Sequence, residues 1–226
     1  MSGSLLAQAG DRPLIDWDWI RFNADRIFER IVEHVVLTGI AVGVGLLVAI
    51  GLALIALRHR PAYGPITAFT NVLYTIPSLA LFAALVPITG LTVLTAEIGL
   101  VGYTLFILVR NIVAGIDGVP RGVTEAADGM GLTPRRRFWT VEVPLALPVI
   151  IAGVRIAAVT TVGLVTVTAV IGLGGLGFFI LRGAQTFFWT SILVGTLGSV
   201  ALAVAVDLGL LWVGRRLTPW ERRVAR

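Results

Sequence analysis

The chain has 226 residues, 57% hydrophobic and 14% charged, with a formal net charge of +5. So apolar a chain could not cover its surface with polar groups in water, which excludes a soluble globular domain and makes lipid the expected surroundings. It contains neither cysteine nor lysine, which excludes disulfides, thiolate metal sites, a cysteine nucleophile and any phosphate-binding loop of the Gly-x-x-x-x-Gly-Lys-Ser/Thr type.

From the N-terminus, Met1 to Gly10 lacks a basic start, and its apolar run Leu5-Leu6-Ala7 is too short for a secretory signal, so this end is expected to stay attached. Between Asp16 and Glu33, Ile20, Ile27 and Ile31 recur at helical spacing beside Trp17, Trp19, Phe22 and Phe28. That pattern predicts a helix lying in the membrane interface as an aromatic anchor. Five runs then reach the roughly 20 apolar residues a transmembrane helix needs: His34 to Leu57, Gly64 to Ile88, Leu94 to Ile116, Leu145 to Ile171 and Phe188 to Gly214.

Within the first span, Gly39 and Gly43 have the small-residue spacing that lets helices approach closely. In the second, Pro77 removes a backbone hydrogen bond and predicts a kink, with Thr75 or Ser78 expected to satisfy the freed carbonyl. Pro77 and Ser78 are therefore candidates for a translocation path. Glu97, near the outer end of the third span, is expected to be wetted. Arg110, Arg155 and Asp207 lie toward the cytoplasmic end of their helices, where isolated charges are costly, and Asp207 is expected to pair with one of the arginines in a cytoplasmic gate. Gly172-Leu173-Gly174-Gly175-Leu176-Gly177 has the glycine spacing of a dinucleotide site, but it lacks the strand, soluble helix and downstream acid that such a site needs. It predicts a sharp bend or short re-entrant piece between the fourth and fifth spans.

One stretch stands apart as a polar insert between spans. Pro120 suits a helix start, Gly131 the left-handed residue that ends a helix, and Thr133 with Pro134 the start of a second helix. Ala126 and Ala127 leave one face nearly bare, while Glu125 and Arg135 to Arg137 offer charged anchors. Such a knob suits a partner's groove.

Positive charge marks the cytoplasmic side of short loops. Arg58 and Arg60 follow the first span, Arg121 and Arg135 to Arg137 the third, and Arg215, Arg216, Arg222, Arg223 and Arg226 the fifth. In the N-terminal segment Arg12, Arg21, Arg26 and Arg30 are matched by acids. The expected organisation is an extracytoplasmic segment over 1–33, a membrane domain over 34–214 with a cytoplasmic loop at 117–144, and a basic cytoplasmic tail over 215–226. The arginines form no basic face interleaved with aromatics, so nucleic-acid binding is not expected. His34 at a membrane boundary and His59 between two arginines cannot form a metal pair, and no metal site is expected.

Glu125-Ala126-Ala127, Gly131, Val141, Val143 and Pro144 fall at the spacing of the signature loop of permease subunits of ATP-binding-cassette importers, which this chain therefore resembles. From about Leu37 to Phe187 the resemblance extends to the osmoprotectant branch, through Thr75-Ile76-Pro77-Ser78-Leu79-Ala80-Leu81, Arg110-Asn111, Pro144-Leu145-Ala146-Leu147-Pro148 and Gly174-Gly175-Leu176-Gly177. Methionine, phosphonate and sulfonate permeases share parts of these segments, so the alternative within transport is another small solute, of the methionine or sulfonate type. The resemblance implies an all-α integral membrane protein of the type I importer fold, in the plasma (inner) membrane, with its N-terminus outside and its C-terminus cytoplasmic. It implies a solute such as glycine betaine, carnitine or choline. Implied partners are a cytosolic ATPase that binds ATP and Mg, a second permease chain, a separate solute-binding protein and membrane lipid. Glu125, Ala126, Ala127, Gly131 and Pro144 would then couple the permease to the ATPase, with no catalytic residue and no cofactor in this chain. Two other classes compete. A membrane-embedded hydrolase needs a nucleophile and base at shared depth, and Ser199 has no such histidine or lysine. A non-transporting scaffold would differ from a permease in that a binding protein would not stimulate its ATPase.

Overall fold

No glycine or proline interrupts the chain from Ala24 to Thr38, and the apolar run continues well beyond. In the computed structural model, which describes residues 13–220, the result is one unbroken helix. Met1 to Gly10, Arg12, Arg222, Arg223 and Arg226 lie outside the described residues. A short helix α1 (Trp17–Phe22) is capped by the Asp16 side chain, which accepts from the Trp19 amide at 2.9 Å. α2 (Ala24–Arg58) then runs for 35 residues. No break in the helix marks the position of His34, because no helix-breaking residue stands between the amphipathic stretch and the apolar run. Only the six residues of α1 form a separate helix ahead of the first span.

A 3-10 turn (Arg60–Ala62) leads to α3 (Tyr63–Thr75) and α4 (Ser78–Thr89), which are bent by 96° at Ile76 and Pro77. The expected kink is thus a full break. The residue before a proline is pushed toward extended backbone, and Ile76 has φ −65° and ψ 127°. The Ile76 carbonyl accepts from the Tyr103 hydroxyl, while Thr75 Oγ1 donates to the Val72 carbonyl at 2.8 Å. α5 (Val93–Asp117), α6 (Arg121–Gly129) and α7 (Pro134–Arg137) follow. A π-helical turn (Phe138–Glu142) joins α7 to α8 (Val143–Val167). Pro144 has no N–H to give the Thr140 carbonyl, and the widened turn lies directly before it. A 3-10 segment (Thr168–Ile171), α9 (Gly177–Thr186) and α10 (Trp189–Leu217) complete the described chain.

Four helical runs are long and apolar enough to cross a membrane, or five spans if α3 and α4 together count as one. Among the described residues there is no strand. The described segments form two compact units, one from residues 13–40, 77–100 and 160–204, the other from residues 41–76, 101–159 and 205–220.

In the second unit, Ala49, Ala53 and Ala56 of α2 are fully buried against Leu105, Leu108 and Ile112 of α5 and Ala157 of α8. Small residues let these backbones approach closely, where dispersion and lipid exclusion take the role water plays for soluble proteins. At Gly45 a Cβ would stand 2.0 Å from Thr104 Oγ1, and at Gly153 2.4 Å from the Asn111 Cβ. The expected pair Gly39 and Gly43 is not this seam, since among the described residues no packing neighbour lies within 4 Å of a Cβ at either. The buried stripe is rotated onto Ala41, Gly45, Ala49 and Ala53.

In the first unit, Phe82 of α4 packs on Gly99 of α5, where a Cβ would meet its ring at 2.5 Å. Trp19 meets Phe179 and Phe188 edge to face, at 6.0 and 5.2 Å between centroids. The Asp16 amide donates to Thr190 Oγ1 at 2.9 Å. α1 is therefore docked on the α9 and α10 segments. Trp17 and Phe22 remain exposed, as an interfacial anchor requires.

Candidate functional site

The polar insert folds as its turn residues dictate. α6 ends with the Leu132 amide donating to the Ala127 carbonyl at 3.2 Å and the Gly131 amide to Asp128 at 2.9 Å. This is the paired bonding of a Schellman motif, which needs a left-handed residue, and Gly131 has φ +80°. Thr133 then caps α7, its side chain accepting from the Arg136 amide at 3.4 Å, with Pro134 in the first turn.

Burial corrects the expected contact face. Ala127 is 1% exposed and packs within the chain, so it does not form part of a bare surface. Glu125 and Ala126 are exposed, together with two apolar residues that sequence reasoning passed over, Val123 and Met130, the latter 74% exposed. Their signal was an apolar side chain at each end of an otherwise polar helix. Arg137 is an internal clamp: Nη1 donates to Asp128 at 2.5 Å and Nε to Glu142 at 2.7 Å, tying α6 to the π-helical turn. Arg135 and Arg136 are exposed, and Pro144 is half-buried near the start of α8.

Of the charges within spans, Arg155 of α8 and Asp207 of α10 form a two-point ion pair, with Nε and Nη2 each 2.9 Å from a carboxylate oxygen. A cavity of about 230 Å³ beside Arg155 is lined also by Pro148, Leu211 and Gly214. Arg110 takes no part in that pair; its guanidinium lies 5.1 Å from the Phe106 ring centre, one helical turn away. Phe106 in turn stacks on Tyr74 at 4.5 Å, just before the break that carries Pro77 and Ser78.

Glu97, expected to be wetted, is buried. It is 9% exposed, and neither carboxylate oxygen has a hydrogen-bond partner among the described residues. A buried unpartnered polar group costs about 1–3 kcal/mol, so Glu97→Leu is expected to stabilise the chain by that amount. A raised midpoint in thermal scans of the purified protein checks this, and a lowered one contradicts it.

His34, which sequence reasoning left at a membrane boundary, is fully buried. Its Nε2 lies 3.0 Å from the Val162 carbonyl, and Nδ1 accepts from the Leu176 amide at 3.3 Å. It thereby fastens the glycine run, where Gly172, Gly174 and Gly175 have φ of +85°, +98° and +48°. A Cβ on Gly175 would stand 2.6 Å from that of His34. The run is a close-packed turn, as its glycines predict. Among the described residues no three histidine or acidic side chains gather as metal ligands.

The chain that folds into this capped knob between long apolar helices matches a known family. Residues 41–219 fit the model of the "binding-protein-dependent transport system inner membrane component". The choline transport system permease protein OpuBB of Bacillus subtilis is 34% identical over 201 residues, covering 89% of this chain and 93% of that protein. The osmoprotectant import permease protein OsmW of Salmonella typhimurium is 34% identical over 200 residues, covering 86% and 91%. The carnitine transport permease protein OpuCD of Listeria monocytogenes is 32% identical over 207 residues, covering 91% and 93%. Among solved structures, a chain of the inward-facing MetNI methionine transporter superposes with a TM-score of 0.71 at 22% identity, covering 90% of this chain and all of its own. An amino acid ABC transporter chain gives 0.71 at 19%, covering 89% and 99%. These structures share the type I importer fold. The chain belongs to the inner-membrane components of binding-protein-dependent transport systems, as a multi-pass permease subunit.

Proposed function

We propose that this permease passes an osmoprotectant, of the glycine betaine, carnitine or choline type, across the membrane. The observation that carries the reading is the near full-length similarity to osmoprotectant permeases at about a third identity. On this reading a separate solute-binding protein delivers the solute, a cytosolic ATPase hydrolyses ATP, and a second permease chain completes the path. The arginine excess after alternate spans supports an outside N-terminus and a cytoplasmic C-terminus. The knob formed by α6, Gly131 and α7 then faces the ATPase. Glu125, Ala126, Val123 and Met130 meet it, while Ala127 and Pro144 hold the knob in shape.

The mechanism is alternating access: ATP draws the ATPase subunits together, the knobs move with them, and the helices open toward the binding protein. Arg155 and Asp207 serve as a latch between α8 and α10 in this cycle. Asp207→Asn is expected to lower uptake and raise ATP hydrolysis in the absence of binding protein. Arg155→Gln combined with Asp207→Asn should lie nearer wild type than either single change, because neither charge is then left alone. Unchanged coupling in reconstituted Asp207→Asn complexes would end the latch idea.

The whole reading is tested by uptake of radiolabelled glycine betaine, with choline as competitor, in native cells, a strain lacking this chain and the restored strain. Loss on deletion and recovery on restoration are expected. Uptake unaffected by deletion, in a strain with no second importer for these solutes, would overturn the substrate assignment.

A further inference from the structure

A cavity of about 500 Å³ opens where three apolar helical runs end. α2 stops at Arg58, α5 stops at Asp117, and the run through α8 begins at Pro134. The apolar residues behind these ends fill the hydrocarbon layer, so the ends lie at the depth of lipid headgroups. Arg58, Arg60, Arg135 and Arg137 line the cavity, and Leu57 and Trp139 belong to its apolar wall.

Half of this charge is already engaged. Arg60 makes a two-point bond to Asp117 at 2.7 and 2.8 Å, and Arg137 holds Asp128 and Glu142. Glu142 is the one acid among the lining residues. Arg58 and Arg135 are exposed and make no ion pair among the described residues. Two guanidinium groups without a carboxylate thus face a cavity that is apolar on its other side. Trp139 is 56% exposed, as a tryptophan at headgroup level commonly is.

We propose that this cavity binds the phosphate headgroup of an anionic phospholipid, with Arg58 and Arg135 on the phosphate and Leu57 and Trp139 against the glycerol and upper acyl chain. The guanidinium fork matches phosphate oxygens at two points, and the volume falls in the range of small-molecule sites. A soluble anion would use the arginines but leave the apolar wall bare. Arg137 joins the cavity to Asp128 of α6, so a bound headgroup would sit beside the docking knob.

The test uses the full chain, purified as the complex it forms in its own membrane and reconstituted in phosphatidylcholine vesicles. A small fraction of dibrominated phosphatidylglycerol or dibrominated phosphatidylcholine is added as quencher. The Trp139 signal is the difference between wild type and Trp139→Phe. Phosphatidylglycerol should quench Trp139 well beyond phosphatidylcholine, and the preference should fall about fivefold for each arginine removed in Arg58→Gln and Arg135→Gln. Quenching by phosphatidylcholine should stay unchanged in these variants, which shows an intact fold, and Arg58→Lys with Arg135→Lys should retain much of the preference. Equal quenching by both lipids, or a preference that survives loss of both arginines, would overturn the proposal. Displacement of phosphatidylglycerol by millimolar inorganic phosphate would overturn the lipid assignment and give the site to a soluble anion.

Discussion

Gly131→Asp is expected to leave the chain inserted and folded while reducing uptake at least about tenfold, a loss of about 1.4 kcal/mol in the coupled step. Gly131 holds φ +80°, and a non-glycine residue there costs about 1–2 kcal/mol, with aspartate among the better tolerated. The two bonds that close α6 come from backbone amides, so they survive the change. Among the described residues no packing neighbour lies within 4 Å of a Cβ at Gly131, and the fold therefore has room for the side chain. A large functional loss must then come from what meets this surface from outside. The new carboxylate would add to the charge of Glu125 and Asp128 on the same knob. Uptake measured per molecule of permease in the membrane checks this, with Gly131→Asn as the uncharged comparison. Normal uptake at normal abundance would show that the knob transmits nothing through this position.

His34→Ala is expected to have the largest effect on stability, about 3–5 kcal/mol. It removes a fully buried side chain and leaves both the Val162 carbonyl and the Leu176 amide without a partner. That bonding pattern needs the neutral ring with its proton on Nε2, and glutamine can reproduce it in part, donating with its amide nitrogen and accepting with its oxygen. The expected order of thermal midpoints in detergent is therefore wild type, His34→Gln, His34→Ala. An alanine variant as stable as wild type would show that the glycine turn is held by Gly174 and Gly175 packing alone.

The docking knob was legible residue by residue, because its determinants are local. A proline before the first helix, a left-handed glycine after it and a threonine-proline start to the next act through their own backbones. Its contact face was not. Ala127 and Ala126 are neighbours of the same type, and only packing decided that Ala127 is buried and Ala126 exposed. The same limit applied to Gly39 and Gly43, whose spacing fits a packing seam that in fact lies two residues round the helix at Ala41 and Gly45.

The charged residues divide in the same way. Sequence indicated that Asp207 needs a cation, since a lone carboxylate in a span is costly, but two arginines were available at suitable depth. The folded chain selects Arg155 and turns Arg110 toward Phe106. Glu97 lies near a span end, where water is expected, yet its helix presents it inward, where no described residue partners it.

By itself the sequence determined that this chain spans a membrane, where most of its helices run, where the glycine and proline turns fall and which family it belongs to. These follow from run length, backbone restrictions and a spaced motif, all of which act over a few neighbouring residues. Only the tertiary structure decided that His34 fastens the glycine turn and which arginine holds Asp207. Each of those depends on partners more than 50 residues away in sequence, whose positions are set by how the helices pack.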